Sequence, residues 1–141
     1  MLAKLAKKAI TEYVKNEKTI KPEVVLEDDS EFFNKKAGTF VTLKKNEDLR
    51  ACIGTFLPTQ DSVAQEVIHN AIGAATRDHR FGAVAENELP ELSYEVQVLS
   101  EPELITDKED FNPEKYGIIV KEIPAGREDI GFKEKAKSAL L

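Results

Sequence analysis

The order of helix and strand patterns along the chain predicts an α+β fold. Apolar side chains recur at three- and four-residue intervals over residues 2–15, as they do in an amphipathic helix. Residues 38–44 and 49–56 are rich in β-branched and aromatic side chains and predict the two arms of a β-hairpin. A helix over 63–76 and a strand over 93–100 follow, so helices and strands do not alternate regularly as parallel units would.

The helix over 63–76 has a recognisable start and a recognisable buried side. Ser62 followed by Gln65 is a capping-box pattern, in which the hydroxyl accepts a hydrogen bond from an unpaired N–H of the first turn. One stripe of this helix is apolar and is formed by Val67, Ile68, Ala71, Ile72 and Ala75. We expect this stripe to pack closely against another element.

Weaker patterns predict the remaining elements. Residues 24–26 favour a short strand, and residues 87–92 favour a helical turn. A short helical segment is expected over 106–115, followed by an apolar strand over 117–121. The tail over 127–141 is predicted to be a helix, with Phe132, Ala136, Ala139 and Leu140 on one side.

Composition narrows the class of protein. The chain has 141 residues, a net charge of −6 and a 41% hydrophobic content, which suits one globular domain. An acidic chain repels phosphate backbones, so nucleic-acid binding is disfavoured. No signal peptide or membrane span is predicted, so we expect a soluble cytoplasmic protein that does not bind membranes. The only cysteine is Cys52, and no residue spacing indicates a metal site or a cofactor.

Several segments, in this order, resemble the AMMECR1 family, and they are Phe40–Lys44, Leu49–Thr55, Asn70–Phe81, Glu88–Leu92, Val96–Ser100 and Lys115–Val120. The resemblance covers roughly residues 1–121. Within the family, the sequence looks like the bacterial AmmeMemoRadiSam system protein A-like members, which are found beside Memo-like and radical-SAM partners. It implies one domain over residues 1–141, two-lobed, with an antiparallel or mixed sheet flanked by helices. It implies no catalytic residue.

The chain departs from the family pattern after Val120. The family usually continues through a Gly-Leu-Leu-Leu-Pro-like segment and a longer C-terminal helix and strand, whereas this chain continues as Lys121–Gly126 and stops at Leu141. We therefore expect the C-terminal part to be short or incomplete relative to the family.

Two interpretations of Cys52 stay open. In a strand, Arg50 and Cys52 share one face, and Ala51 and Ile53 share the other. Cys52 is a candidate catalytic nucleophile or redox thiol if Arg50 stabilises its thiolate. Alternatively, Cys52 is a small buried apolar residue, and Arg50 binds backbone carbonyls or a carboxylate.

A polar cluster follows the second helix and consists of Arg77, Asp78, His79 and Arg80. The two guanidinium groups are candidate ligands for a carboxylate or phosphate, with His79 as a proton carrier. The alternative is structural, with an Arg–Asp bridge closing the helix C-terminus. Thr55 is a further candidate binding residue, because backbone amides before the helix can bind an anion.

These observations leave two functions open. The first is an interaction or regulatory module that binds a partner protein or a small anionic ligand in a groove at the Leu49–Phe56 strand and the Arg77–Phe81 loop. The second is an enzyme or enzyme subunit that uses Cys52 in a pathway linked to radical-SAM and Memo proteins. The sequence specifies neither a substrate nor an oligomeric state.

Overall fold

A computed structural model describes residues 1–104, 109, 112–114, 116–120 and 133–140. It contains two α-helices, α1 (Leu2–Asn16) and α2 (Val63–Thr76), whose bounds confirm both predicted helices. Six strands accompany them: β1 (Thr39–Lys45), β2 (Asp48–Gly54), β3 (Leu92–Leu99), β4 (Glu103–Leu104), β5 (Tyr116–Val120) and β6 (Lys133–Leu140). The α+β class is therefore confirmed. No helix in the described ranges is long and apolar enough to cross a bilayer.

The strands form one sheet in the order β2-β1-β3-β6-β4, and β5 also pairs with β6. Each described pairing is antiparallel. The predicted hairpin is β1–β2, and Asn46 and Glu47 at its tip adopt positive φ angles of 51° and 68°. Left-handed backbone conformations at the turn match the twist of the two strands. The hairpin leaves β2 at one end of the strand order.

Both helices pack against one face of the sheet. This face carries the alternate residues Val41, Leu43 and Ala51, which are completely buried. Ile53 is half-buried against the same core, so the predicted Ala51/Ile53 face of β2 is the core face. The intervening residues Arg50 and Cys52 must then lie on the opposite face, because side chains alternate along a strand.

Helix α2 begins where the sequence indicates. The Ser62 hydroxyl accepts a hydrogen bond from the Gln65 N–H at 3.3 Å, which caps the first turn. The apolar stripe predicted for this helix is buried throughout. Close packing on α1 and on the first two strands places the C-terminal end of α2 beside β2.

Two predicted elements are wrong. Residues 24–26 are not a strand, because a 3₁₀-helix covers Pro22–Val24, with Pro22 favouring the first helical position. Residues 133–140 of the predicted tail helix are not helical, because Lys133–Leu140 pairs as β6 with β3 and β5. Pairing of this kind outweighs a weak helical pattern.

The other weak patterns have mixed outcomes. The helical turn is confirmed as a 3₁₀-helix over Glu86–Glu91, and the apolar strand is confirmed as β5. The helical segment predicted over 106–115 lies largely outside the described residues, as do residues 121–132.

Candidate functional site

The edge of β2 that has no neighbouring strand is covered by side chains from the loop that follows α2. The Cys52 N–H donates to Asp78 Oδ2 at 2.9 Å, and the Cys52 carbonyl accepts from Arg80 Nη2 at 3.5 Å. These two contacts take the place of a neighbouring strand at the middle of β2. Covered edges of this kind prevent uncontrolled strand pairing.

Asp78 and Arg80 form a tight ion pair at this edge. Asp78 is only 5% exposed, and its carboxylate accepts from the Arg80 Nε at 3.0 Å and from Nη2 at 2.8 Å. The hydrogen bonds from Arg80 hold the pKa of Asp78 well below its usual range, although burial opposes this effect. The Arg80 guanidinium also lies 5.1 Å from the ring centroid of Phe81. The pair therefore stays charged and holds Phe81 beside β2.

The Arg50 guanidinium binds a carboxylate other than that of Asp78. Its Nε and Nη2 donate to the two carboxylate oxygens of Glu88 at 2.8 and 3.0 Å. The same guanidinium also donates to the carbonyls of Gly82 at 3.3 Å and Ala83 at 3.2 Å. The hydrogen bonds from Arg50, together with the one from the Ala85 N–H, lower the pKa of Glu88 to about 2. Arg50 thus ties β2 to the 82–88 segment with a planar, bidentate pair.

Cys52 is half-buried on the sheet face that the helices leave uncovered. Its Sγ lies 3.2 Å from the hydroxyl of Thr42, which is directly opposite on β1. The cation bonded to the Cys52 backbone is Arg80, whereas Arg50 is held by Glu88. A thiol in this position can exchange a hydrogen bond with the Thr42 hydroxyl and can be reached from one side.

Thr55 lies on the core side, away from Cys52. Its hydroxyl donates to Glu66 Oε1 at 2.7 Å and accepts from Asn70 Nδ2 at 3.1 Å. Glu66 also accepts from the N–H and hydroxyl of Thr59 and from the N–H of Gln60, at 2.7 to 2.8 Å. This buried network joins the end of β2 to α2. The hydrogen bonds of Thr55 therefore give it a structural role.

Glu66 is completely buried and yet stays ionised. Burial raises its pKa, but the hydrogen bonds from Thr55, Thr59 and Gln60 outweigh that effect and lower the pKa overall. Sequence analysis missed both Glu66 and Asn70. Their signal was helical spacing, since Val63, Glu66, Val67 and Asn70 follow one another at intervals of three and one along the buried side of α2.

The predicted cluster of Arg77, Asp78, His79 and Arg80 is divided by the fold. Asp78 and Arg80 face the β2 edge, whereas Arg77 turns back along α2 and its Nη2 lies 3.5 Å from the His69 carbonyl. His79 is exposed. Arg77 lines a groove of about 450 Å³ with His69 and residues of the 19–22 segment. The described residues hold no group of three or more His, Cys, Asp and Glu side chains arranged to bind a metal ion.

Comparisons with known proteins agree with the fold. The sequence model of the AMMECR1 family matches residues 3–141. A Clostridium acetobutylicum protein is 44% identical over 83% of this chain, and the match spans 25% of that protein. A Thermotoga maritima protein is also 44% identical over 83% of this chain, and the match spans 67% of that protein. The matched part of the chain thus spans a quarter to two thirds of the length of these relatives.

A solved structure is similar as well. The crystal structure of an uncharacterised protein from Pyrococcus horikoshii superimposes with a TM-score of 0.78 and is 34% identical, covering 87% of this chain and 64% of that chain. The family model spans nearly the whole sequence and includes the β1–β2 hairpin, α2 and β3 described above. The chain therefore belongs to the AMMECR1 family.

Proposed function

We propose that this protein is an interaction module that binds a partner protein through the edge of β2. The surface in question consists of Leu49 on β2 and of Arg80 and Phe81 in the loop that covers the edge of this strand, and we call it the β2 edge surface. Leu49 and Phe81 are among the exposed large apolar residues of the described chain. Aromatic side chains and arginine are enriched in protein interfaces.

The single observation that carries this proposal is the way Arg80 and Phe81 are held. Arg80 is fixed by the buried Asp78, and its guanidinium stacks over the 39% exposed ring of Phe81. An aromatic ring and an arginine that are rigid before binding lose little entropy when a partner docks. Residues of these two types also dominate the energetics of measured interfaces.

The ion pairs around this surface support a binding role. Asp78, Arg80, Arg50 and Glu88 bond one another or the backbone of β2 and the 82–88 segment. Charges that satisfy one another in this way stabilise the shape of a surface. They are therefore suited to presenting the β2 edge surface to a partner.

The test replaces Phe81 with serine and measures partner binding. Proteins captured by the immobilised chain from an extract of its native cell would be identified, purified and titrated. We expect Phe81→Ser to weaken binding of the captured partner by about 30-fold or more, as loss of a central aromatic residue does. Val24→Ser is the matched control, because Val24 is exposed and lies in a different element, the 3₁₀-helix Pro22–Val24. Equal affinities for the wild type and Phe81→Ser would refute the proposal.

A further inference from the structure

Arg77 stands apart from the other two arginines in the described part of the chain. Arg50 is paired with Glu88 and Arg80 with Asp78. Among the described residues, no carboxylate lies within ion-pair distance of the Arg77 guanidinium, whose hydrogen bond there is the 3.5 Å contact from Nη2 to the His69 carbonyl. The other guanidinium donors have no hydrogen-bond partner among the described residues, and Arg77 lines a groove.

The groove around Arg77 has a charged side and an apolar side. Among the described residues that line it, the permanently charged side chains are Lys21 and Arg77, and both are cationic. Ile20, Ile68 and Ile72 supply apolar surface next to them. Its volume of about 450 Å³ is in the range of small-molecule sites. A concave site with this lining favours a ligand that has one anionic group and an apolar body.

Gly73 makes room for the guanidinium. A Cβ at Gly73 would lie 2.6 Å from Arg77 Nη2, so the arginine packs on the helix where a side chain is missing. Glycine inside a helix costs about 1 kcal/mol of stability relative to alanine. The missing side chain at Gly73 therefore leaves space on α2 for the Arg77 guanidinium.

We propose that this groove binds a small organic anion, whose carboxylate or phosphate contacts Arg77 and Lys21 and whose apolar body packs on Ile20, Ile68 and Ile72. This site is separate from the β2 edge surface, because the described residues that line it are Gln60, Arg77 and residues of α1, the 19–22 segment and α2. Because the chain has a net charge of −6, it attracts an anion through a local cationic site such as this one.

The experiment is an NMR titration of the ¹⁵N-labelled full chain with phenyl phosphate, phenylacetate and the neutral analogue phenylacetamide. We expect the two anions to shift amide signals of residues 19–22 and 68–77 with dissociation constants of about 1–10 mM, as suits fragments of this size. Phenylacetamide should leave these signals unchanged. Tighter binding of phenyl phosphate would identify phosphate esters as the ligand class, and tighter binding of phenylacetate would identify carboxylic acids.

Two variants test the role of Arg77 by different routes. Arg77→Gln should weaken anion binding by about tenfold, the effect of losing a charge-assisted pair. Gly73→Ala should weaken it similarly, because the added methyl group displaces the guanidinium. Lys7→Gln is the control, since it removes one exposed positive charge of α1 outside the groove and should bind as the wild type does.

Three outcomes would overturn the proposal. They are the absence of shifts around the groove with both anions, equal shifts with phenylacetamide, and unchanged affinity in Arg77→Gln. Full affinity in Gly73→Ala would refute the part assigned to the glycine. Thermal unfolding of each variant, measured alongside, shows that the binding data refer to folded protein.

Discussion

Glu66 offers the sharpest test of the structure, because one buried carboxylate holds the 55–60 segment against α2. Four hydrogen bonds reach its two oxygens, from the hydroxyl of Thr55, the N–H and hydroxyl of Thr59 and the N–H of Gln60. Glu66→Leu removes every acceptor while keeping a side chain of similar size. Glu66→Gln keeps one carbonyl oxygen for the two N–H groups.

The expected magnitude follows from these partners. Four bonds to a charged acceptor would sum to about 6–12 kcal/mol if all of their donors stayed buried. Thr59 is exposed, however, so water can replace much of this loss, and we expect Glu66→Leu to cost about 3 kcal/mol. Glu66→Gln should cost about 1 kcal/mol, because the threonine hydroxyls can rotate to accept from the amide and neutral bonds are weaker.

The assay is urea unfolding at 25 °C and neutral pH, with Glu27→Gln as the control. Glu27 is exposed, so its substitution should change the unfolding free energy by less than about 0.5 kcal/mol. A Glu66→Leu protein within about 1 kcal/mol of the wild type would refute the anchoring role. Equal losses in Glu66→Gln and Glu66→Leu would show that the charge matters and the acceptor geometry does not.

Acidification tests the same carboxylate independently. The folded protein lowers the pKa of Glu66, so the unfolded chain takes up the proton first as the pH falls. The stability contributed by Glu66 is therefore present above its unfolded pKa of about 4.3 and is lost as the pH falls through the folded pKa. Glutamine does not titrate, so the gap between the wild type and Glu66→Gln should narrow in acid. A gap that is constant or widens would contradict the pKa direction.

Two further predictions concern the β2 face. Glu88 has its pKa lowered to about 2, so its pair with Arg50 should contribute about 2–3 kcal/mol at neutral pH, and this contribution should disappear as the pH falls from about 4.5 towards 2. Urea unfolding should show that Glu88→Gln lowers the unfolding free energy by this amount at pH 7 and makes it depend less on pH in acid. A variant with the stability and pH dependence of the wild type would contradict the pairing. The Cys52 thiol contacts Thr42 and is half-buried, and Arg50 is occupied by Glu88. We therefore expect iodoacetamide to alkylate Cys52 more slowly than it alkylates glutathione at pH 7. Faster alkylation would instead favour the hypothesis of an enzyme that uses this thiol.

Local patterns explain which parts of the fold could be predicted. The bounds of α1 and α2 follow from apolar spacing and, for α2, from Ser62 as a cap, and both depend on neighbouring residues only. The strand β6 could not be predicted in this way. Its conformation comes from hydrogen bonds to β3 and β5, and the tail has no strong pattern of its own.

The candidate site shows the same division. Strand alternation correctly separates Arg50 and Cys52 from Ala51 and Ile53, because the two-residue period is a local property of the backbone. The partner of Arg50 is 38 residues away along the chain, and no spacing rule connects Arg50 to Glu88. The adjacent residues Arg77 and Asp78 likewise turn to different surfaces, which depends on where α2 ends relative to β2.

By itself, the sequence determined the fold class, the family, the two helices, the hairpin and the two faces of β2. Each of these depends on periodicity or on motifs a few residues long. Only the tertiary structure decided that Asp78 and Arg80 cover the edge of β2, that Glu66 is a buried anchor and that Arg77 faces a separate groove. The physical reason is that hydrogen bonds, burial and pKa values depend on which distant residues meet, and those meetings are set by the packing of α2 on the sheet.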